Sequence, residues 1–549
     1  MNKQTKKAAA FTLAAAMTAT VFAGCGGAPS SSAAPSTSTA TTDTATAATA
    51  GSYTDYSAGF PEKVTIQIPV YDRSFEGWDP TNNYYTQWVQ KEFGDKYNVN
   101  VEYVSIGRTT EVQDYMQMIA AHTEPNIVFH YDMPQAVNYY SQGAIQDINY
   151  DEIAYYAPDY WAKMEDTAKT YGQLDGKNAF IFAERDPIYY NYVKLIRKDW
   201  CDKVNMEIPT NNEELQAVVK AWTAAGLGSE SEALITKSFT YEYPWIDPAT
   251  SEEDLALYLD LNVAPFTWEP TEKYLKNRNT RYNEGTLDPE FYLNTEDSLL
   301  KGKFVSGQSG TYGFYISSGT DVISSLLAND PDAEVAAMPD AVADGYKPYY
   351  YEYPPYGMIM GISVDTTDEQ RAAVYRFLNW MIQPDTLFYL QHGIKDETYT
   401  LDADGIAAQV ADYEGEAKLS QNNNKDMWCL VQEVPTYGDE AKDLISNKVT
   451  LAPAGYEDLI QQSYDICKAK EDCGIISPIF TKSVESITEY SADLNALWQE
   501  AYVDCITCKP EEFDAKYAEY SQEYLDAGYQ QILDEKQALI DEGAVLTAK

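Results

Sequence analysis

Val64-Thr65-Ile66-Gln67-Ile68-Pro69-Val70 alternates as a strand does, and the residues after it decide the fold class. Turn formers run to Asn83, and a helical pattern follows from Tyr84 to about Tyr97. Asn98–Ser105 reads as a second strand and Asn126–His130 as a third. Between them Thr110–His122 is helical, apolar at Tyr115, Met118 and Ile119, and another short helix reaches Gly143. Strand and helix alternating at this spacing predict a parallel-rich α/β layer.

Downstream, Tyr155–Tyr171 is helical, Asp175-Gly176 a turn, and Asn178–Ala183 and Tyr192–Ile196 are strands. A helix is capped near Thr210, with Glu213 at capping-box spacing. Leu255–Leu261 and Glu272–Asn283 are helical, and strand signals return at Ser309–Tyr315 and Met358–Val364. Glu369–Met381 is an amphipathic helix, and roughly the last hundred residues are helical, apolar at Ile487, Leu494, Leu497 and Trp498. A chain of 549 residues exceeds what one hydrophobic core serves, so two or three lobes are expected.

Upstream, Lys3, Lys6 and Lys7 precede an uncharged run from Ala8 to Ala23, ending Val21-Phe22-Ala23-Gly24-Cys25. A basic start, an apolar stretch and small residues before a cleavage point make a secretory signal. The run is shorter than the roughly 20 residues a membrane span needs. Cysteine after the small pair resembles the lipobox of bacterial lipoproteins, with Phe22 where leucine is usual. That resemblance implies residues 1–24 as signal and Cys25 as an acylated N-terminus on the extracytoplasmic face of the membrane. Residues 25–59 follow as a tether of Ala, Ser, Thr and Gly, with a mean reach of roughly 30–35 Å.

Asp and Glu number 85 against 39 Lys and Arg, a formal charge of −46. Such a surface repels nucleic acid and anionic lipid headgroups. Tyrosine is in excess, with 46 copies beside 10 Trp and 17 Phe. These serve either core packing or platforms for sugar-like ligands. Besides Cys25 the thiols are Cys201, Cys429, Cys467, Cys473, Cys505 and Cys508. Cys505-Ile-Thr-Cys508 with Cys467 and Cys473 leaves a zinc site, disulfides and free thiols all open.

Motif searches come back empty: no HExxH, P-loop, GxGxxG or G-x-S-x-G occurs. Three histidines, His122, His130 and His392, leave little room for a triad or a multi-histidine metal site. With so many carboxylates, an acid pair at glycosidase separation carries no information. A binder is expected rather than an enzyme, with no cofactor and no metal.

Several stretches, in order, resemble family-1 extracellular solute-binding proteins of ABC importers. Ala144-Ile145-Gln146-Asp147-Ile148 with Ala157-Pro158 is similar to one family passage. Tyr192–Trp200 with Pro209-Thr210 is similar to a second, and Tyr282–Phe291, containing Glu284-Gly285 and Asp288-Pro289-Glu290-Phe291, to a third. His392-Gly393-Ile394 matches a fourth, though Lys395–Tyr399 departs from it. Ala225–Glu230 lacks the calcium-loop pattern of many relatives, so calcium is not carried over.

The resemblance implies an α/β, two-lobed, periplasmic-binding-protein-like fold with a ligand cleft at the lobe interface and a helical C-terminal section. It places crossings near Phe180–Arg185, Tyr353–Gly357 and within Asn422–Thr450. Lobes of 60–181 with 357–440 and of 182–356 with 441–549 follow. It further implies a monomer that binds a carbohydrate, in the first instance an oligosaccharide, and delivers it to ABC permease subunits. A secreted glycoside-active enzyme and a surface adhesion or sensor protein are the alternatives.

Candidate ligand contacts lie at strand ends and crossings. After the first strand stand Trp78, Asp79 and Asn82, beside Tyr71 and Arg73. Tyr131 and Asp132 follow the third strand, and Arg185, Tyr189 and Tyr190 mark the first crossing. Trp245 and Tyr315 offer stacking faces in the second lobe, and Tyr356 flanks the hinge; Trp428 is the weakest of the set.

Overall fold

The computed structural model describes residues 53–549, apart from 186–191, 231–245, 248, 260–262, 295–296, 316–318, 340, 344–345, 347–349, 352–353, 411–412, 453–454, 470–473, 476–477 and 547–549. The signal, Cys25, most of the tether, Tyr189, Tyr190, Trp245 and Cys473 lie outside the described residues.

β1 (Val64–Asp72) and β2 (Val99–Gly107) pair in parallel, in unbroken register from Val64↔Val99 to Asp72↔Gly107. α1 (Tyr84–Val89) joins them. The Asn83 side chain accepts from the Tyr85 and Thr86 amides, while the Thr86 side chain answers the Asn83 amide. This reciprocal cap explains why the helix starts there. It continues through a π-helical stretch at Gln90–Gly94 to Tyr97 and stops at Asn98, which turns left-handed. α2 (Glu111–Ala121), β3 (Ile127–His130) and α3 (Met133–Ser141) complete the opening.

The expected helix from Tyr155 to Tyr171 is two helices, α4 (Tyr150–Tyr156) and α5 (Pro158–Tyr171). Pro158 has no amide to continue α4 but suits the first turn of a new helix. β4 (Ile181–Glu184) closes this part of the chain. β5 (Tyr192–Arg197) leads to α6 (Asn212–Ala225), whose cap is Asn211 rather than Thr210. Asn211 accepts from the Glu214 amide, and Thr210 instead donates to the Glu214 carboxylate. After α7 (Glu269–Asn283), β6 (Thr311–Tyr315) and β7 (Val335–Met338) flank β5 on either side, both antiparallel to it.

β8 (Tyr356–Ser363) is buried along its whole length and runs antiparallel to β3, to β4 and to the two-residue strand Ile145–Gln146. The parallel-rich expectation therefore holds for β1 and β2 but not around β8. β8 enters from a later part of the chain and lies between β3 and β4, antiparallel to both. α8 (Asp368–Met381) is capped by Thr367 and buries Val374, Tyr375, Phe377 and Leu378. The chain then passes through α9 (Pro384–His392), α10 (Lys425–Trp428), α11 (Glu457–Ala469), α12 (Glu485–Thr507), α13 (Phe513–Tyr524) and α14 (Gln530–Asp541).

One core holds β1, β3, β4, β8 and α8 and runs on to Val431. The others are built from later and intervening residues: Leu195 with Phe304 and Leu459, Ile196 with Trp222, and Phe266 with Trp498. Where the chain passes between cores, three segments lie side by side. Tyr356 is the register partner of Glu184, the Glu184 amide donates to the Val431 carbonyl at 3.0 Å, and the Glu433 amide donates to the Glu184 carbonyl at 2.8 Å. Cys201, Cys429, Cys505 and Cys508 are free thiols, and no metal-holding cluster occurs among the described residues. No described helix is long and apolar enough to cross a membrane.

Candidate functional site

The carboxyl ends of β1, β2, β3 and β4 point their following residues toward the crossing segments. Tyr71 is the last residue but one of β1, and its hydroxyl donates to Glu111 Oε1 at 2.5 Å. Glu111 opens α2 just after β2, and its other oxygen meets Arg108 at 3.2 Å and lies 3.7 Å from His130 Nε2. His130 Nδ1 accepts from the Asp132 amide at 2.9 Å, so a neutral ring carries its proton on the nitrogen facing Glu111. Burial pushes the Glu111 carboxyl up to about 7, with the Tyr71 bond and the Arg108 charge opposing it. Burial and then the nearby Glu111 charge hold the Tyr71 phenol well above its ordinary range.

Tyr131 stands at the centre. Its ring stacks on Tyr71 at 6.1 Å with 17° between planes, and Arg108 and Lys425 lie 5.6 and 5.9 Å from its centroid. Among the described residues its hydroxyl is buried without a hydrogen-bond partner, and burial raises its pKa, with the charges of Glu433 and Asp426 adding to the effect. Around it the charges are arranged in pairs. Arg73 holds Asp426 through two nitrogens at 2.8–3.0 Å. Lys425 donates to Glu433 at 2.5 Å, and Arg185 reaches the same oxygen at 3.5 Å. Charge-assisted pairs in a partly dry setting fix side chains in place. At Gly357 the backbone comes close to the Glu433 side chain: a Cβ there would lie 2.5 Å from Glu433 Cβ.

Of the expected contacts, Tyr131, Asp132 and Arg185 fall in this cluster. Trp78 is half-buried against the first core, and its amide donates to the Phe75 carbonyl. Asp79 is exposed and spends one carboxylate oxygen on Thr81 and the Asn82 amide, forming a turn. Asn82 is exposed beside Gln87. Tyr315 ends β6, whereas Tyr190 and Trp245 are outside the described residues. Tyr356 corrects an expectation: it is buried against Tyr171 and Phe182, so its ring serves the core while its backbone serves the crossing. Trp428 is likewise core, its indole donating to the Asn423 carbonyl.

Arg108, Glu111, Lys425, Asp426 and Glu433 escaped sequence reasoning. Arg108 and Glu111 had a usable signal, a charged pair directly after a strand. The other three lie inside the crossing expected within Asn422–Thr450, but only the tertiary fold shows that α10 meets the end of β1.

The family model for bacterial extracellular solute-binding proteins matches residues 88–390. No curated protein matches the chain. Among solved structures, it resembles alginate-binding protein AlgQ2 without calcium ion, at 17% identity and a TM-score of 0.62 over 88% of this chain and 99% of that one. An HMO-binding, ABC-transporter-associated solute-binding protein from Bifidobacterium longum infantis gives 14% and 0.59 over 88% and 99%. The S. pneumoniae ABC-transporter substrate-binding protein FusA in complex with kestose gives 13% and 0.60 over 87% and 99%. At these identities the likeness is one of fold.

Proposed function

Because the chain belongs to the bacterial extracellular solute-binding proteins, we propose that it captures an oligosaccharide between its lobes and delivers it to an ABC permease. The observation that carries this is the cluster around Tyr131, built from strand ends next to the place where three crossing segments pair. Ligands bind in α/β proteins at the carboxyl ends of strands and in clefts between lobes. An aromatic ring ringed by hydrogen-bonding groups suits a sugar, which offers a flat apolar face and polar hydroxyls. Structures of the same fold carry saccharides in their names: alginate, HMO and kestose.

Ligand contacts made from both lobes stabilise a closed form, and closure is what the permease senses. The lobes are 60–181 with 357–440 and 182–356 with 441–549. Trp78, Asp79, Asn82, Tyr131, Asp132 and Arg185 act from the first crossing and the first lobe, and Tyr190, Trp245 and Tyr315 from the second. The chain works as a monomer on the outer face of the membrane, held by a lipid on Cys25 and the tether that follows. It binds and does not cut its ligand.

The test is calorimetric titration of the purified protein with a panel of oligosaccharides, each recovered and analysed afterwards. One-to-one binding with intact recovery is expected. Silence across the panel, or a cleaved saccharide, overturns the proposal.

A further inference from the structure

Building on the saccharide site just described, we infer that the ligand carries a negative charge: a glycan bearing a carboxylate or a sulfate. Acidic residues outnumber basic ones more than two to one over the chain, 85 to 39. Around Tyr131 that balance is different. Arg73, Arg108, Arg185 and Lys425 converge from the ends of three strands and from α10. Arg73 and Arg108 both lie over the Tyr71 ring, at 5.7 and 5.0 Å.

Depth separates the two signs. The carboxylates of Glu111, Asp426 and Glu433 are 4, 10 and 5% exposed. Three of the four cations are more open, Arg108 at 38% exposed, Arg73 at 26% and Lys425 at 25%, whereas Arg185, at 11%, lies as deep as the acids. Asp132, at 60%, is the one carboxylate of the cluster that stands out with them. The buried acids thus hold the guanidinium groups from beneath and leave cationic edges facing outward. A guanidinium has five N–H donors in a fixed fork. Arg73 commits its Nε and one terminal nitrogen to Asp426, and Arg108 commits one terminal nitrogen to Glu111. Among the described residues their remaining nitrogens make no hydrogen bond.

Lobe closure would take these edges out of water. A neutral sugar then leaves outward-facing N–H groups of paired but partly desolvated cations to its weaker hydroxyl acceptors. A carboxylate or sulfate is the stronger acceptor and takes paired N–H bonds in the geometry that guanidinium favours. The same arrangement works against the long-range repulsion that a chain of charge −46 exerts on an anion.

The experiment is a matched comparison by calorimetry at two salt concentrations. The probes are a galacturonic acid trimer, the corresponding neutral galactose trimer and a sulfated galactose trimer. At least one acidic form is expected to bind tenfold or more tighter than the neutral one, and to lose affinity as salt rises. Carboxylate and sulfate sources are told apart by which acidic form wins. Arg108→Gln and Lys425→Gln, checked for unchanged melting temperature, should narrow the acidic advantage. A neutral trimer that binds as well as both acidic forms overturns the inference while leaving saccharide capture intact. An acidic advantage that persists in both variants overturns the assignment to these cations. If none of these trimers binds and a wider neutral panel does, the charge inference fails alone; if no saccharide of either kind binds, both readings fail.

Discussion

Arg73 and Asp426, 353 positions apart in sequence, are joined by a two-nitrogen ion pair at 2.8–3.0 Å that ties the end of β1 to α10. Removing one partner leaves the other partly buried and alone. Asp426→Ala is therefore expected to cost about 1–3 kcal/mol, read as a melting temperature lowered by several degrees. Asp426→Asn, which keeps an acceptor, should cost less. Equal melting temperatures for Asp426→Ala and the parent would show that the pair is decorative.

Gly357 answers to packing at the crossing. A methyl there would stand 2.5 Å from Glu433 Cβ and 2.9 Å from its carboxylate. Gly357→Ala should force β8 and the Glu433 segment apart, at about 1–3 kcal/mol, and weaken ligand binding along with stability. Hydrogen exchange at the amides of Glu184 and Glu433 measures this directly. Protection unchanged from the parent would mean that the crossing tolerates the extra carbon.

Glu111 predicts a pH dependence. Its carboxyl is pushed up to about 7 in the folded protein, from an ordinary value of 4.5, chiefly by burial. Below about pH 7 the neutral acid is the favoured form in the folded state, and above it the charged form that pairs with Arg108. Its contribution to stability is complete below the ordinary carboxylate value and is lost as pH rises through about 7. Between pH 5 and 8 the parent should lose more stability than Glu111→Gln does, by of order 2–3 kcal/mol. Melting curves across that range decide it, and a steeper fall in the variant would reverse the assignment.

Cys25→Ala separates anchor from receptor. In a bacterial host that processes lipoproteins, the variant should leave the membrane fraction and stop incorporating palmitate. In solution it should still bind the same saccharide, because holding a receptor near its permease only raises local concentration. Loss of binding on release would tie the anchor to recognition itself.

What was legible in the sequence has a common physical origin. β1, the helix after Asn83 and α8 are written in short-range periods, and the strand end that carries Tyr131 and Asp132 is likewise a local feature. The expected helix from Tyr155 missed a boundary for which Pro158 was the available sign. The tyrosine excess goes largely into packing: Tyr356 is core, as are Tyr85, Tyr115, Tyr160 and Tyr375, and so is Trp428. The charges were hardest to read. Nothing near Lys425 or Asp426 in the sequence says that they meet Arg73 and Tyr131, because only the returning strand β8 and the helices after it bring them there.

Tyr131 carries the central claim, so its removal tests that claim most directly. The measurement is calorimetric titration of the parent and of Tyr131→Ala, at matched melting temperature, with whichever oligosaccharide binds the parent most tightly. Loss of a stacking ring at the middle of the site predicts affinity weakened by roughly tenfold or more, about 1.4 kcal/mol. A Tyr131→Ala protein that binds the same saccharide as tightly as the parent would contradict it.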